Sequence, residues 1–164
     1  MQQYTNELST ELLASMDTPR FSAEELTEMS EEALALIEEQ AAFCRAHPVT
    51  AIYRIAVAGS VTLRGGVADE FNPDPMQGYK ILRDDEQMAS VLTVGCRVTY
   101  PDGSTARIVS SAGSQYAIDE CGIALVGSVL DNGDIIISTP QRSGVLVGRE
   151  GVDMPADFLI AGHK

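Results

Sequence analysis

The stretch "IALVGSVLDNGDIII" (residues 123–137) reads as a strand, a turn and a second strand. Residues 55–69, "IAVAGSVTLRGGVAD", are written almost the same way. Aligning Gly127 with Gly59, an offset of 68, matches Ile123 with Ile55, Ala124 with Ala56, Ser128 with Ser60, Val129 with Val61 and Gly133 with Gly65. A third, longer copy lies between them, "LTVGCRVTYPDGSTARI", with Gly95 as its glycine and Cys96 in the serine position. A fainter fourth, "VLVGREGV", centres on Gly148. The spacings of 36 and 32 residues are those of repeat architectures, but their irregularity argues against a regular solenoid.

Outward from these copies, everything after Ala51 follows β grammar. Short runs rich in Val, Ile, Thr and Tyr alternate with Gly, Asn, Asp and Pro. Asn132-Gly133 and Gly65-Gly66 suit two-residue hairpin turns with positive φ at both central positions. Pro101-Asp102-Gly103 marks a tight turn, with proline presetting φ and glycine taking the left-handed place. Residues 70–90 read as an insertion or long loop with Asp84, Asp85 and Glu86 in solvent.

Residues 1–47 are written differently. A short helix is expected within residues 5–17, ending before Pro19. Ser22 and Glu25 have capping-box spacing, and Leu26, Met29, Ala33, Ile37, Ala41 and Cys44 form one apolar stripe at helical period. Arg45 and His47 suit the negative end of that helix, and Pro48 stops it. The stripe serves either a helix packed on its own domain or one that docks a partner. The expected fold is therefore mainly β, a compact, wound β domain of repeated hairpins at residues 50–164, with an acidic helical extension at residues 1–49.

Charge and length narrow the function. The net charge of −13 divides as −8 over residues 1–47 (ten acidic, two basic) and −5 over the rest (fourteen, nine). Such a surface disfavours phosphate contacts, so nucleic acid is not an expected partner. No apolar run approaches the ~18–20 residues that span a bilayer, so stable membrane insertion is not expected. The N-terminus carries no basic and apolar signal segment, which predicts synthesis in the cytoplasm. Cys44, Cys96 and Cys121, three in number and far apart, read as reduced thiols, mostly buried as small apolar side chains. "GSVTLRGG" lacks the lysine of a phosphate-binding loop, and "DEFNPDPMQG" lacks the order of a calcium loop. An enzyme would need Cys96 or Cys121 with His163 as base, and only His47 and His163 exist to serve one.

The repeat, with "YPDGSTARIVSSAG" and "IALVGSVLDNGDII", resembles the PAAR-repeat proteins over roughly residues 52–140. These are small cone-shaped β proteins that cap the spike of contractile injection machines, chiefly the bacterial type VI secretion system. The family's "PAARVGD" and "TSHGG" segments have counterparts in "GIALVGS" (122–128), "RIAVAGS" (54–60) and "VTLRGG" (61–66), without the motif's proline, arginine and aspartate. The resemblance implies a non-enzymatic tip on a homotrimeric VgrG-like spike protein, with an effector or adaptor possible on the N-terminal helix. It implies export with the injection machine; a phage or other contractile tail is the same reading in another setting. The partner-binding residues it points to are Gly59, Ser60, Gly65, Gly66, Gly95, Gly127, Ser128, Asn132 and Gly133. Family members commonly hold zinc near the tip through three histidines and a cysteine. Here Arg64, Tyr100 and Asn132 stand near the histidine positions. A four-coordinate site would have to draw on Cys96, Cys121, His163 and a carboxylate, so no metal and no other cofactor is expected.

Overall fold

The computed structural model describes residues 2–16, 21–74 and 76–159. Pro19 and His163 lie outside them. Two compact units divide the chain: a β unit of Met1–Asn6, Tyr53–Leu146 and Met154–Lys164, and a helical unit of Glu7–Ile52 and Val147–Asp153. The helices are α1 (Thr10–Met16), α2 (Ala23–Thr27) and α3 (Glu31–Ala46). The strands are β1 (Val49–Arg54), β2 (Val61–Thr62), β3 (Val67–Ala68), β4 (Lys80–Leu82), β5 (Met88–Ser90), β6 (Arg97–Thr99), β7 (Thr105–Arg107), β8 (Ala117–Ile118), β9 (Cys121–Gly122), β10 (Ile136–Ser138) and β11 (Val145–Arg149). The protein is mainly β, built from several small antiparallel sheets.

In the helical unit, Ser22 forms its capping box: Glu25 N–H donates to Ser22 Oγ at 3.1 Å and Ser22 N–H to Glu25 Oε1 at 3.2 Å. The apolar stripe does not run through a single helix. Ser30 accepts from Ala33 N–H at 3.2 Å and starts α3 as a second N-cap, because a serine side chain there competes for amides the continuing helix would need. No residue of α3 is buried, and Leu36 and Phe43 are exposed. Its end is tied down by Arg149, which donates to His47 O, and by His47 Nδ1, 2.7 Å from Glu150 O.

The β unit is organised by three elbows, residues 55–60, 91–96 and 123–128. Each bends at a glycine with positive φ: Gly59 at 97°, Gly95 at 95° and Gly127 at 108°. Before the bend the three segments hydrogen-bond in a closed ring. Ala56 N–H donates to Ala124 O (3.0 Å), Ala124 N–H to Leu92 O (2.9 Å) and Leu92 N–H to Ala56 O (2.9 Å). An outer ring repeats the pattern: Ala58 to Ser90 O, Val94 to Gly122 O and Val126 to Arg54 O. Bridges Val57↔Val91, Thr93↔Ile123 and Leu125↔Ile55 follow the same rotation. Period-2 alternation then splits the core. Ala56, Leu92 and Ala124 face one cluster with Val98, Ile108, Leu130 and Ile136, while Val57 and Val91 face another with Ala58 and Ala89.

A hairpin rises from each elbow, and the three pair edge to edge. β10 pairs β2, β3 pairs β6, and the bridge Ile108↔Leu130 completes the cycle. The turns differ from expectation in one respect. In all three, a three-residue loop closes between a pair of main-chain bonds, as in Leu130 N–H to Asp134 O (2.8 Å) and Gly133 N–H to Leu130 O (3.0 Å). Gly65, Gly103 and Gly133 take positive φ; Gly66 and Asn132 do not. This is a turn followed by a glycine bulge, which needs one left-handed residue rather than two. Asn132 contributes through its side chain, whose Oδ1 accepts from Asp134 N–H at 3.0 Å.

Two further expectations are corrected. Residues 70–90 contain the β4–β5 hairpin, in register Lys80↔Ser90 to Leu82↔Met88, and the acidic run forms its turn with Glu86 at φ 66°. Gly148 is no fourth elbow; it lies within β11, which pairs with β1.

Candidate functional site

Two places gather the residues singled out in the sequence: the elbows around the ring, and the hairpin loops beyond them. At the elbows, Ser60, Cys96 and Ser128 occupy equivalent positions with related bonds. Ser128 Oγ accepts from Leu125 N–H at 2.9 Å, and Cys96 Sγ accepts from Thr93 N–H at 3.3 Å. Ser60 Oγ donates to Val57 O at 2.7 Å and meets Thr139 Oγ1 at 2.9 Å. Ser60 and Ser128 are wholly buried, so their side chains serve the bend and are not on a face that a partner touches.

At the loops, Asp134 is the organising residue, and sequence reasoning passed over it as turn punctuation. It is 1% exposed and receives groups from all three hairpins. Arg64 N–H (3.2 Å) comes from the first, the Tyr100 hydroxyl (2.5 Å) from the second, and its neighbour Ile135 N–H (2.8 Å) from the third. Asn132 Nδ2 donates onward to the Tyr100 oxygen at 3.0 Å, and Arg64 Nη1 to Asn132 O at 3.1 Å. Burial pushes the Asp134 carboxyl up, but hydrogen bonds from Thr62, Tyr100, Ile135 and Arg64 outweigh it and hold the group below the usual carboxylate range. Burial, with the bond to Asp134, raises the Tyr100 phenol.

Gly66 is packed into this cluster. A Cβ there would stand 2.5 Å from Val98 Cγ1 and 2.9 Å from Tyr100 Cε1. Gly65 and Gly133, by contrast, are exposed at the loop ends, with Asn132. The structure thus brings Gly65, Gly66, Asn132 and Gly133 together at the loops, and Gly59, Ser60, Gly95, Gly127 and Ser128 at the elbows. The thiols are not mostly buried as expected: Cys44 is exposed on α3, Cys121 is exposed in β9, and Cys96 is half-buried at its elbow. Among the described residues, no three His, Cys, Asp or Glu side chains gather so as to hold a metal ion. No described helix is long and apolar enough to cross a membrane.

Around the ring, three ribbons lead into the elbows in equivalent ways. Ile55 N–H donates to Gly144 O (2.9 Å), Val91 N–H to Tyr79 O (2.9 Å) and Ile123 N–H to Tyr116 O (2.8 Å). The quasi-three-fold order therefore runs from ribbons through ring to loops.

No protein-family model matches the chain, and no curated protein and no solved structure matches it either.

Proposed function

We propose that the β unit is a cone-like tip that caps the end of a homotrimeric, VgrG-like spike protein of a contractile injection machine. The observation that carries this reading is the closed ring of main-chain bonds among Ala56, Leu92 and Ala124, which arranges one chain with approximate three-fold order about a buried centre. A single copy can meet a three-fold partner without mismatch only if it carries an approximation of that symmetry. The ribbons β1–β11, β4–β5 and β8–β9 supply strand edges at three positions around it, where main-chain bonds to the spike would cover edges on both proteins. The role is mechanical, and no residue is assigned to catalysis.

Zinc, which the resemblance implies for the tip, does not fit the groups present. Arg64, Tyr100 and Asn132 offer a guanidinium, a phenol and an amide, and each is engaged: the guanidinium donates to Asn132 O, the phenol to the Asp134 carboxylate and the amide to the phenol oxygen. Zinc takes thiolate, imidazole or carboxylate ligands. Hydrogen bonds hold these loops together.

The helical unit supports a second part of the reading. A sixteen-residue helix with no buried residue and with Leu36 and Phe43 exposed suits a handle for an effector or adaptor. Replacing Leu36 and Phe43 with Glu should then leave spike binding intact and abolish cargo binding.

Native mass spectrometry of the chain mixed with its trimeric spike protein tests the cap. One copy per trimer is the expected result. Three copies per trimer, or no complex, would overturn it.

A further inference from the structure

We propose that one face of α3 docks a basic amphipathic helix of a partner protein, with Leu36 and Phe43 as its apolar contacts and Glu32 and Glu39 as the charges that select it. This rests on the handle role of the helical unit and is independent of the spike cap. It adds the chemistry of what the handle holds.

Glu32, Leu36, Glu39 and Phe43 follow one another at steps of four, three and four residues. That is the spacing of a single helical face, so acidic and apolar side chains alternate along one line. All four are exposed, Leu36 at 61% and Phe43 at 48%. The half-buried residues of α3, Ala33, Ile37 and Ala41, lie four residues apart on a different face. The Phe43 ring meets the His47 ring with centroids 4.6 Å apart, which fixes one end of the line.

The unit that carries this face has almost no interior. Among its described residues only Ile52 and Gly148 are buried. Helical stability in proteins comes mostly from packing an apolar face, and an isolated helix of this length is marginal in water. A partner laid on the exposed face supplies burial that the unit lacks.

Charge states what that partner carries. Among the described residues, Glu32 and Glu39 are in no ion pair. The described basic groups of the unit are engaged elsewhere: Arg45 pairs with Glu38 at 3.2 Å, and Arg149 donates to His47 O at 3.0 Å. In sequence the unit holds twelve acidic and three basic side chains. A second copy of α3 does not fit. Laid parallel in register, it sets Glu32 and Glu39 against themselves. Laid antiparallel, it sets Leu36 against Glu39 and Phe43 against Glu32. Either way carboxylates are covered without a partner. A helix with Lys or Arg between apolar residues at the same spacing meets both needs. Its apolar side chains seat against Leu36 and Phe43, and its cations pair with Glu32 and Glu39. The acidic field of the unit also speeds its approach.

Three synthetic peptides of about 20 residues, long enough to be helical, serve as probes. They share one leucine stripe and carry Lys, Gln or Glu at the flanking positions. Titrated into the isotope-labelled full chain, the Lys peptide should give saturable amide shifts confined to residues 31–46 and slow hydrogen exchange there. The Gln peptide should bind about tenfold more weakly, and the Glu peptide should not bind. Replacing Glu32→Gln together with Glu39→Gln should weaken the Lys peptide about tenfold and remove most of its salt dependence. Glutamine keeps the helix propensity of glutamate, so α3 stays folded in that variant. Leu36→Ala with Phe43→Ala should weaken the Lys peptide about a hundredfold. If the three peptides bind alike, the proposal is overturned while the handle role stands. It is overturned as well if none binds at millimolar concentration, or if the Lys peptide binds the Glu32→Gln, Glu39→Gln chain unchanged.

Discussion

The Tyr100 hydroxyl lies 2.5 Å from Asp134 Oδ2 and joins the second hairpin to a buried carboxylate on the third. A hydrogen bond to a charged acceptor contributes about 1.5–3 kcal/mol. Tyr100→Phe should lower stability by that amount while leaving the far-ultraviolet spectrum unchanged. Urea denaturation measures it, and a midpoint unchanged from wild type would show that the bond contributes nothing.

The same pair sets the pH response. The Asp134 pKa is depressed in the folded state, so its contribution is present above the unfolded carboxylate value of about 3.9. It is lost as pH falls through the lower folded value. Tyr100 is raised, so its contribution is present below the unfolded phenol value of about 10 and is lost as pH rises through the higher folded one. The urea midpoint of wild type should therefore fall at both extremes, and Asp134→Asn should flatten the acid limb.

Cys96 and Ser128 make the same elbow bond, from Thr93 N–H and Leu125 N–H. Cys96→Ser should change stability by less than about 1 kcal/mol, since the hydroxyl keeps the acceptor. Ser128→Ala leaves a buried amide unpaired and should cost about 1–3 kcal/mol. Thermal melts of the two variants should separate clearly.

The ring makes an exchange experiment possible. Leu92 is wholly buried beside Ala56 and Ala124, so Leu92→Ala should cost about 2–5 kcal/mol. Ala56→Leu alone should cost about 1–3 kcal/mol through overpacking. Together they move the one large side chain to an equivalent place. The double variant should be more stable than the sum of the singles predicts, and strict additivity would deny the equivalence.

Much of this was legible in the spacing of glycines. Gly59, Gly95 and Gly127 were aligned by sequence, and all three bend the chain with positive φ because the same elbow recurs. Serine and cysteine could be read as equivalent there because both are small and accept an amide. The site at the loops was hidden for the opposite reason. Asp134 sits in an Asn-Gly-Asp run whose local reading is a solvated turn, and its burial comes from Tyr100 and Arg64, 34 and 70 residues away. The β4–β5 hairpin was masked in the same way, since Arg83, Asp84, Asp85 and Glu86 are the composition of a loop and here form only its turn. The break before α3 lay in Ser30, whose capping competes with a stripe that periodicity alone would continue.

The ring at Ala56, Leu92 and Ala124 also governs how the fold can be reached. Its bonds join positions 36, 32 and 68 residues apart, so no unit can make one by itself. Two units in hand give one bond and an open chain; the third supplies the other two at once. Loop-closure entropy is spent before the return arrives, which makes assembly slow and all-or-none. A ribosome must deliver residue 124 before the first elbow has both of its neighbours. Truncation before the third elbow should therefore leave a chain without a core, not two-thirds of one.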